Sequence, residues 1–142
     1  MNASIIEEVL IAEGCNKSNF VVKATGSDVY CLDNRNGKWV VFYTERGLDS
    51  EPIYVSDSEE SACNFFYNFI MNIQHWHIVG FFKTEAEAAE LEGKLATVGI
   101  PSIRNDIPAY KYQNDPRLRV FVVGKDIFKF RDEFGEPRIS YA

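Results

Sequence analysis

The chain has 142 residues, 46% of them hydrophobic and 14% aromatic, enough for one compact domain or two small packed modules and too apolar for disorder. Its formal charge of −6 lies entirely within residues 1–73, where five Lys/Arg face eleven Asp/Glu; residues 74–142 carry ten of each. An acidic chain repels phosphate backbones and anionic lipid, which argues against direct nucleic-acid or membrane binding and for a basic partner, although acidic side chains also simply keep a protein soluble.

No apolar run approaches the roughly 20 residues that span a bilayer. Met1-Asn-Ala-Ser-Ile-Ile-Glu-Glu lacks a basic start and a long apolar stretch, so a cytoplasmic location is expected. Cys15, Cys31 and Cys63 are odd in number and widely spaced, which fits reduced, buried thiols better than disulfides or a zinc site.

In chain order, Ser4 to Glu13 reads as a short amphipathic helix. Ser4 and Glu7 have capping-box spacing, Ile5, Ile6, Val9 and Leu10 make the stripe, and Gly14 is the stop. Phe20-Val-Val22 is a first strand. Residues 28–45 form a hairpin around Asn36-Gly37, two residues that accept positive φ. Apolar residues on both of its faces predict a central strand pair, covered by the helices before and after it. Arg46 to Pro52 reads as a loop and Ile53-Tyr-Val55 as a short strand. Asp57 or Ser58 caps a helix whose Ala62, Phe65, Phe66, Phe69, Ile70 and Ile73 share a face.

Past a short join at Met71–Gln74, Trp76 to Phe82 is a strand. Thr84 and Glu87 open a helix through Val98 with Ala88, Leu91, Leu95 and Val98 inward, and Gly99 ends it. Ile100 to Ile103 leads into a strand, 108–117 is a loop, Leu118 to Val123 is a strand, and Asp126 caps a last helix stopped by Gly135. The expected fold is α+β: antiparallel or mixed sheets with helices packed on one face, in the order α-β-β-β-β-α and then β-α-β-β-α. Two modules are expected, 1–73 and 74–142, packed as one unit.

Reactive chemistry is sparse. His75 and His77 would share a strand face, but no third metal ligand lies nearby in sequence, so a metal site is not expected. Glu85, Glu87, Glu90 and Glu92 read as a solvated helix face rather than the converging carboxylates of a glycosidase. Lys111, Arg117, Arg119 and Lys125 with Tyr110, Tyr112 and Phe121 resemble a nucleic-acid patch diluted by Asp115 and Asp126. The expectation is a protein without catalytic residues or cofactor. Asp33, Glu45, Asp49, Glu51, Asp57 and Glu59 are the candidate binding residues, since neighbouring strand ends could gather several on one edge and draw in a cationic partner. Tyr43 and Tyr54 are candidate aromatic anchors beside them; the plainer reading is that both pack on the sheet.

Two stretches carry a resemblance. "VYCLDNRNGKWVVFYTERGLDSEPIYVSDSEESACNFFYNFI" resembles the immunity proteins of bacterial polymorphic toxin systems, including contact-dependent growth inhibition. That implies an antitoxin-like inhibitor that binds the basic C-terminal toxin domain of a neighbouring gene product, expected to be a nuclease acting on tRNA, other RNA or DNA. The family transfers no invariant residue, so the acidic set rests on charge alone. "EAEAAELEGKLATVGIPSIRNDIP" and "RVFVVGKDIFKF" are similar to a small ferredoxin-like module of prokaryotic signal-transducing proteins. The alternative function is a regulatory or small-ligand-binding module using a cleft between the halves, near Trp76, Tyr110 and Tyr112.

Overall fold

The computed structural model describes residues 1–141, which form an α+β protein of two compact units, the first being Met1–His75 and the second beginning at Trp76. Each has its own sheet and its own core.

In the first unit, helix α1 (Ile6–Ala12) precedes strands β1 (Phe20–Val22), β2 (Val29–Arg35), β3 (Lys38–Glu45), β4 (Leu48–Asp49) and β5 (Tyr54–Ser56), and helix α2 (Glu59–Met71) closes it. The sheet is mixed. β1 runs parallel to β2, β2 and β3 form the central antiparallel pair, and β4 and β5 share the far side of β3. Asn36 and Gly37 both adopt positive φ, 55° and 83°, and close the β2–β3 turn with Arg35 opposite Lys38.

Both helices cover the same sheet face. Ile6 and Leu10 of α1 and Ala62, Cys63, Phe66 and Ile70 of α2 pack with Phe20, Leu32 and Val41. Cys31 and Phe42 are equally buried but point to the other face, where the Arg35 guanidinium lies 4.0 Å from the centre of the Phe42 ring. The helices before and after the hairpin thus cover one of its two apolar faces, and part of the second is closed by an arginine stem and head, which cover apolar surface while staying solvated at the rim.

Local signals at the helix ends are read with mixed success. Ser58 caps α2 by accepting the Ser61 N–H. Ser4 does not cap α1. Its hydroxyl and N–H both donate to Asn2 Oδ1, at 2.6 and 3.0 Å, and the helix begins two residues later without a side-chain cap. The local turn at Asn2 wins because a short side-chain amide competes effectively for nearby donors. Ile5 consequently faces solvent, while Ile6 and Leu10, one turn apart, enter the core.

The second unit runs β6 (Trp76–Phe82), α3 (Glu85–Thr97), β7 (Ile103–Arg104), β8 (Leu118–Val123) and α4 (Asp126–Phe134), with an antiparallel sheet ordered β6-β8-β7. Alternate β8 residues Leu118, Val120 and Val122 turn inward to meet Ala88 and Leu95 of α3 and Ile127 and Phe130 of α4. Val98 is not part of this core; it is the C-cap of α3 and is exposed. Thr84 accepts the Glu87 N–H, so the N-cap forms as read, but Glu87 Oε1 takes the Thr84 hydroxyl instead of the backbone N–H that a full capping box would give it. Asp126 is the first residue of α4 rather than its cap, which is Lys125 in helical geometry with no side-chain bond. Gly80 has no space for a side chain: a Cβ there would stand 2.5 Å from the Phe82 ring and 2.7 Å from Leu91.

Candidate partner-binding site

β3 turns into β4 through Arg46 and Gly47, both at positive φ, so a two-residue turn interrupts what reads in sequence as a loop. Register then sets Glu45 against Leu48 and Thr44 against Asp49. The chain continues along β3 with Ser50 as a splice. The Ser50 N–H donates to the Tyr43 carbonyl at 2.7 Å, and Ser50 Oγ accepts the Tyr43 N–H at 2.9 Å. The result is a shallow groove of about 440 Å³ lined by Tyr43, Glu45, Arg46, Leu48, Asp49 and Ser50.

This groove unites three of the eight candidate residues, Tyr43, Glu45 and Asp49. Tyr43 is half-buried against Tyr30, ring centres 4.8 Å apart, and burial, with the carboxylates of Asp28 and Glu45 adding to it, pushes its phenol above the usual range. Asp49 also reaches round to Arg35, at 3.0 Å, and Asp33 meets the same guanidinium at 3.5 Å. Glu51 is exposed in the segment that follows.

The other three serve elsewhere. Asp57 pairs with Lys38 at 3.0 Å, beside the Asn36-Gly37 turn. Glu59 accepts the Ala3 N–H at 2.8 Å and so fastens the N-terminal segment to α2. Tyr54 stacks on Phe65 of α2 with centres 4.3 Å apart, so it packs on the sheet rather than standing free. Sequence reasoning missed Leu48, Arg46 and Ser50 in the groove and Arg35 beside it. The signal available was the run Glu45-Arg-Gly-Leu-Asp49, where a two-residue turn would set Glu45 across from an aliphatic side chain with a second carboxylate on the next rung.

The residues considered for chemistry are held in structural roles. His75 precedes the strand instead of sharing a face of it with His77, and it is buried. Its Nδ1 accepts the Asn16 N–H at 2.9 Å, and its Nε2 lies 2.8 Å from the Ile70 carbonyl, which can only accept. The ring is therefore the Nε2-protonated tautomer, tying the 15–19 segment to the end of α2. Among the described residues no group of three or more His, Cys, Asp or Glu could hold a metal ion. All three cysteines are free and buried. Burial pushes the Cys15 thiol up to about 11, with the Glu13 carboxylate adding to it, and burial is also the main cause that raises Cys31 and Cys63.

In the second unit the arginines are largely engaged. Arg117 is buried, bonded to Asp115 at 2.6 Å and stacked over Tyr110, and Arg119 donates to the Asn105 carbonyl and side chain. The acidic face of α3 is not simply solvated, since Arg104 gathers Glu85, Glu92 and Asp106 at 2.7–2.9 Å. Two smaller clefts lie in this unit, one of about 220 Å³ beside Phe82, Leu91 and Lys94, the other of about 260 Å³ beside Phe81, Lys83 and Arg117.

No protein-family model, curated protein or solved structure matches the chain. No helix among the described residues is long and apolar enough to cross a membrane.

Proposed function

We propose that this chain is an inhibitor of the immunity type, which neutralises a cationic toxin domain by binding it through the β3–β4 end of the first unit. The observation that carries the reading is the groove itself: Glu45 stands across the ladder from an exposed Leu48, beside a half-buried Tyr43, and Asp49 borders the groove while the pleat turns it towards Arg35 on the other face. This is a small apolar centre with a carboxylate rim, the arrangement that selects a basic surface and rejects an acidic one.

The net charge of residues 1–73 supports the same partner. Long-range attraction speeds encounter with a positive surface, and nuclease domains carry such surfaces because they grip phosphate. Carboxylates seated on that surface would occupy the path of the substrate backbone. Within the site Arg35 holds Asp33 and Asp49 in place before the partner arrives, so part of the ordering cost of binding is already met.

The test is affinity capture from the native cell, followed by a rescue assay. Recovery of a basic toxin domain encoded beside this gene, with growth restored when both are co-expressed, is the expected result. Capture of an acidic or small-molecule partner alone, or failure to restore growth, overturns the reading.

A further inference from the structure

The far edge of the five-stranded sheet shares Leu48 and Asp49 with the groove and adds features that the groove does not use. β4 and β5 each pair with β3 alone among the described residues, so their outer sides carry unpaired backbone N–H and C=O groups. β4, β5 and the segment joining them carry three exposed aliphatic side chains: Leu48 at 76%, Ile53 at 39% and Val55 at 46%. Tyr54 stacks onto α2, and the pleat therefore sends Val55 to the opposite side, across from Val40.

Sheet edges are commonly protected by lysine. This one carries none of its own: no Lys or Arg occurs from Gly47 to Phe82, whereas Asp49, Glu51 and Asp57 punctuate or border the edge, Asp49 and Asp57 paired at 3.0 Å with Arg35 and Lys38 of neighbouring strands and Glu51 exposed. Those carboxylates oppose pairing between two copies of the same edge and favour a positively charged strand. Pro52 lacks an N–H, so ladder bonds can form only on either side of it.

We propose that residues 48–56 are a docking edge for an extended cationic peptide segment, which adds as a further strand beside β4 and β5. Main-chain bonds would hold it, its alternate aliphatic side chains would meet Ile53 and Val55, and its lysines or arginines would meet Glu51 directly, with Asp49 and Asp57 reached only in competition with Arg35 and Lys38. The charge of the partner rests on the function proposed above; the mode of pairing rests on the edge alone.

The probe is a short synthetic peptide alternating lysine and valine, titrated into the full chain while amide shifts and exchange are followed by NMR. The expected result is shifts confined to residues 48–56 and slowed amide exchange on that edge. The same peptide N-methylated at alternate residues keeps its charge but cannot pair, and should bind at least about tenfold more weakly. Val55→Lys, an exposed substitution, should weaken the unmodified peptide by a similar factor, as should Glu51→Lys, which leaves the strand untouched. Shifts centred elsewhere, or equal binding of the N-methylated peptide, overturn the proposal. The two readings separate cleanly. Peptide binding at this edge without capture of any toxin domain refutes the proposed function and leaves the edge standing. Rescue from a toxin with residues 48–56 unmoved by the peptide refutes the edge alone.

Discussion

Leu48 stands directly across the β3–β4 ladder from Glu45, so an aliphatic side chain left 76% exposed shares a rung with a carboxylate. Folding gains almost nothing from a leucine in that position. Leu48→Ala should therefore shift stability by less than about 0.5 kcal/mol, as surface substitutions do. It should weaken the captured partner at least about tenfold, because a central apolar anchor carries a disproportionate share of binding energy. Thermal unfolding and isothermal titration check the two halves separately, and a variant that binds as tightly as the parent contradicts the site.

Arg35 links three features of the face opposite the helices: the Phe42 ring, Asp33 and Asp49. Its side chain is partly solvated, so each ion pair is worth a fraction of a kcal/mol and the ring contact about 0.5–1. Arg35→Gln should cost about 1 kcal/mol in urea unfolding, with the loss smaller at high salt. A loss above about 3 kcal/mol would mean that Arg35 supports more than these contacts.

How far these features were legible depends on how local their causes are. The Asn36-Gly37 turn and the caps at Ser58 and Thr84 are decided within four residues, and each formed as read. Ser4 failed because Asn2, two residues back, outcompeted the helix for its hydroxyl. The clustering of Glu45 with Asp49 follows from a two-residue turn, but Arg46 at φ 52° gives little warning of it, since arginine rarely takes that conformation. Arg35 was out of reach. Its meeting with Phe42 and Asp49 requires knowing which side chains share a sheet face, and a shift of one residue in register would have separated them. Asp57 and Glu59 were grouped with the others by proximity in sequence, yet one serves the hairpin turn and the other the N-terminal segment.

His75 explains why the first unit ends two residues beyond the boundary at residue 73 expected from sequence. Its two ring nitrogens bind Asn16 and Ile70, both in that unit. His75→Ala should leave the Asn16 N–H and one lone pair of the Ile70 carbonyl without their partner, at about 1–3 kcal/mol. Nitrogen chemical shifts of the imidazole should show the Nε2-protonated tautomer; a proton on Nδ1 would contradict the assignment.

Arg104 gives the second unit an acid-sensitive clamp between α3 and β7. Its hydrogen bonds hold the Glu85 and Asp106 carboxyls below their ordinary values of 4.5 and 3.8. A carboxyl depressed in the folded state stabilises above its unfolded pKa and loses that contribution as pH falls through the folded one. The parent should therefore exceed Arg104→Gln in stability at neutral pH, and the gap should close below about pH 4. Urea unfolding across that range reads it, and a gap that persists unchanged into acid contradicts the clamp.

The most direct test of the account is the association rate of the captured toxin domain, measured by stopped flow across ionic strength, for the parent and for Glu45→Lys/Asp49→Lys/Glu51→Lys. The parent should associate fast at low salt and slow steeply as salt is added, whereas the charge-reversed variant should be slower at low salt and nearly flat. Equal rates and equal salt slopes for the two proteins would contradict the claim that this carboxylate-rimmed edge draws in its partner.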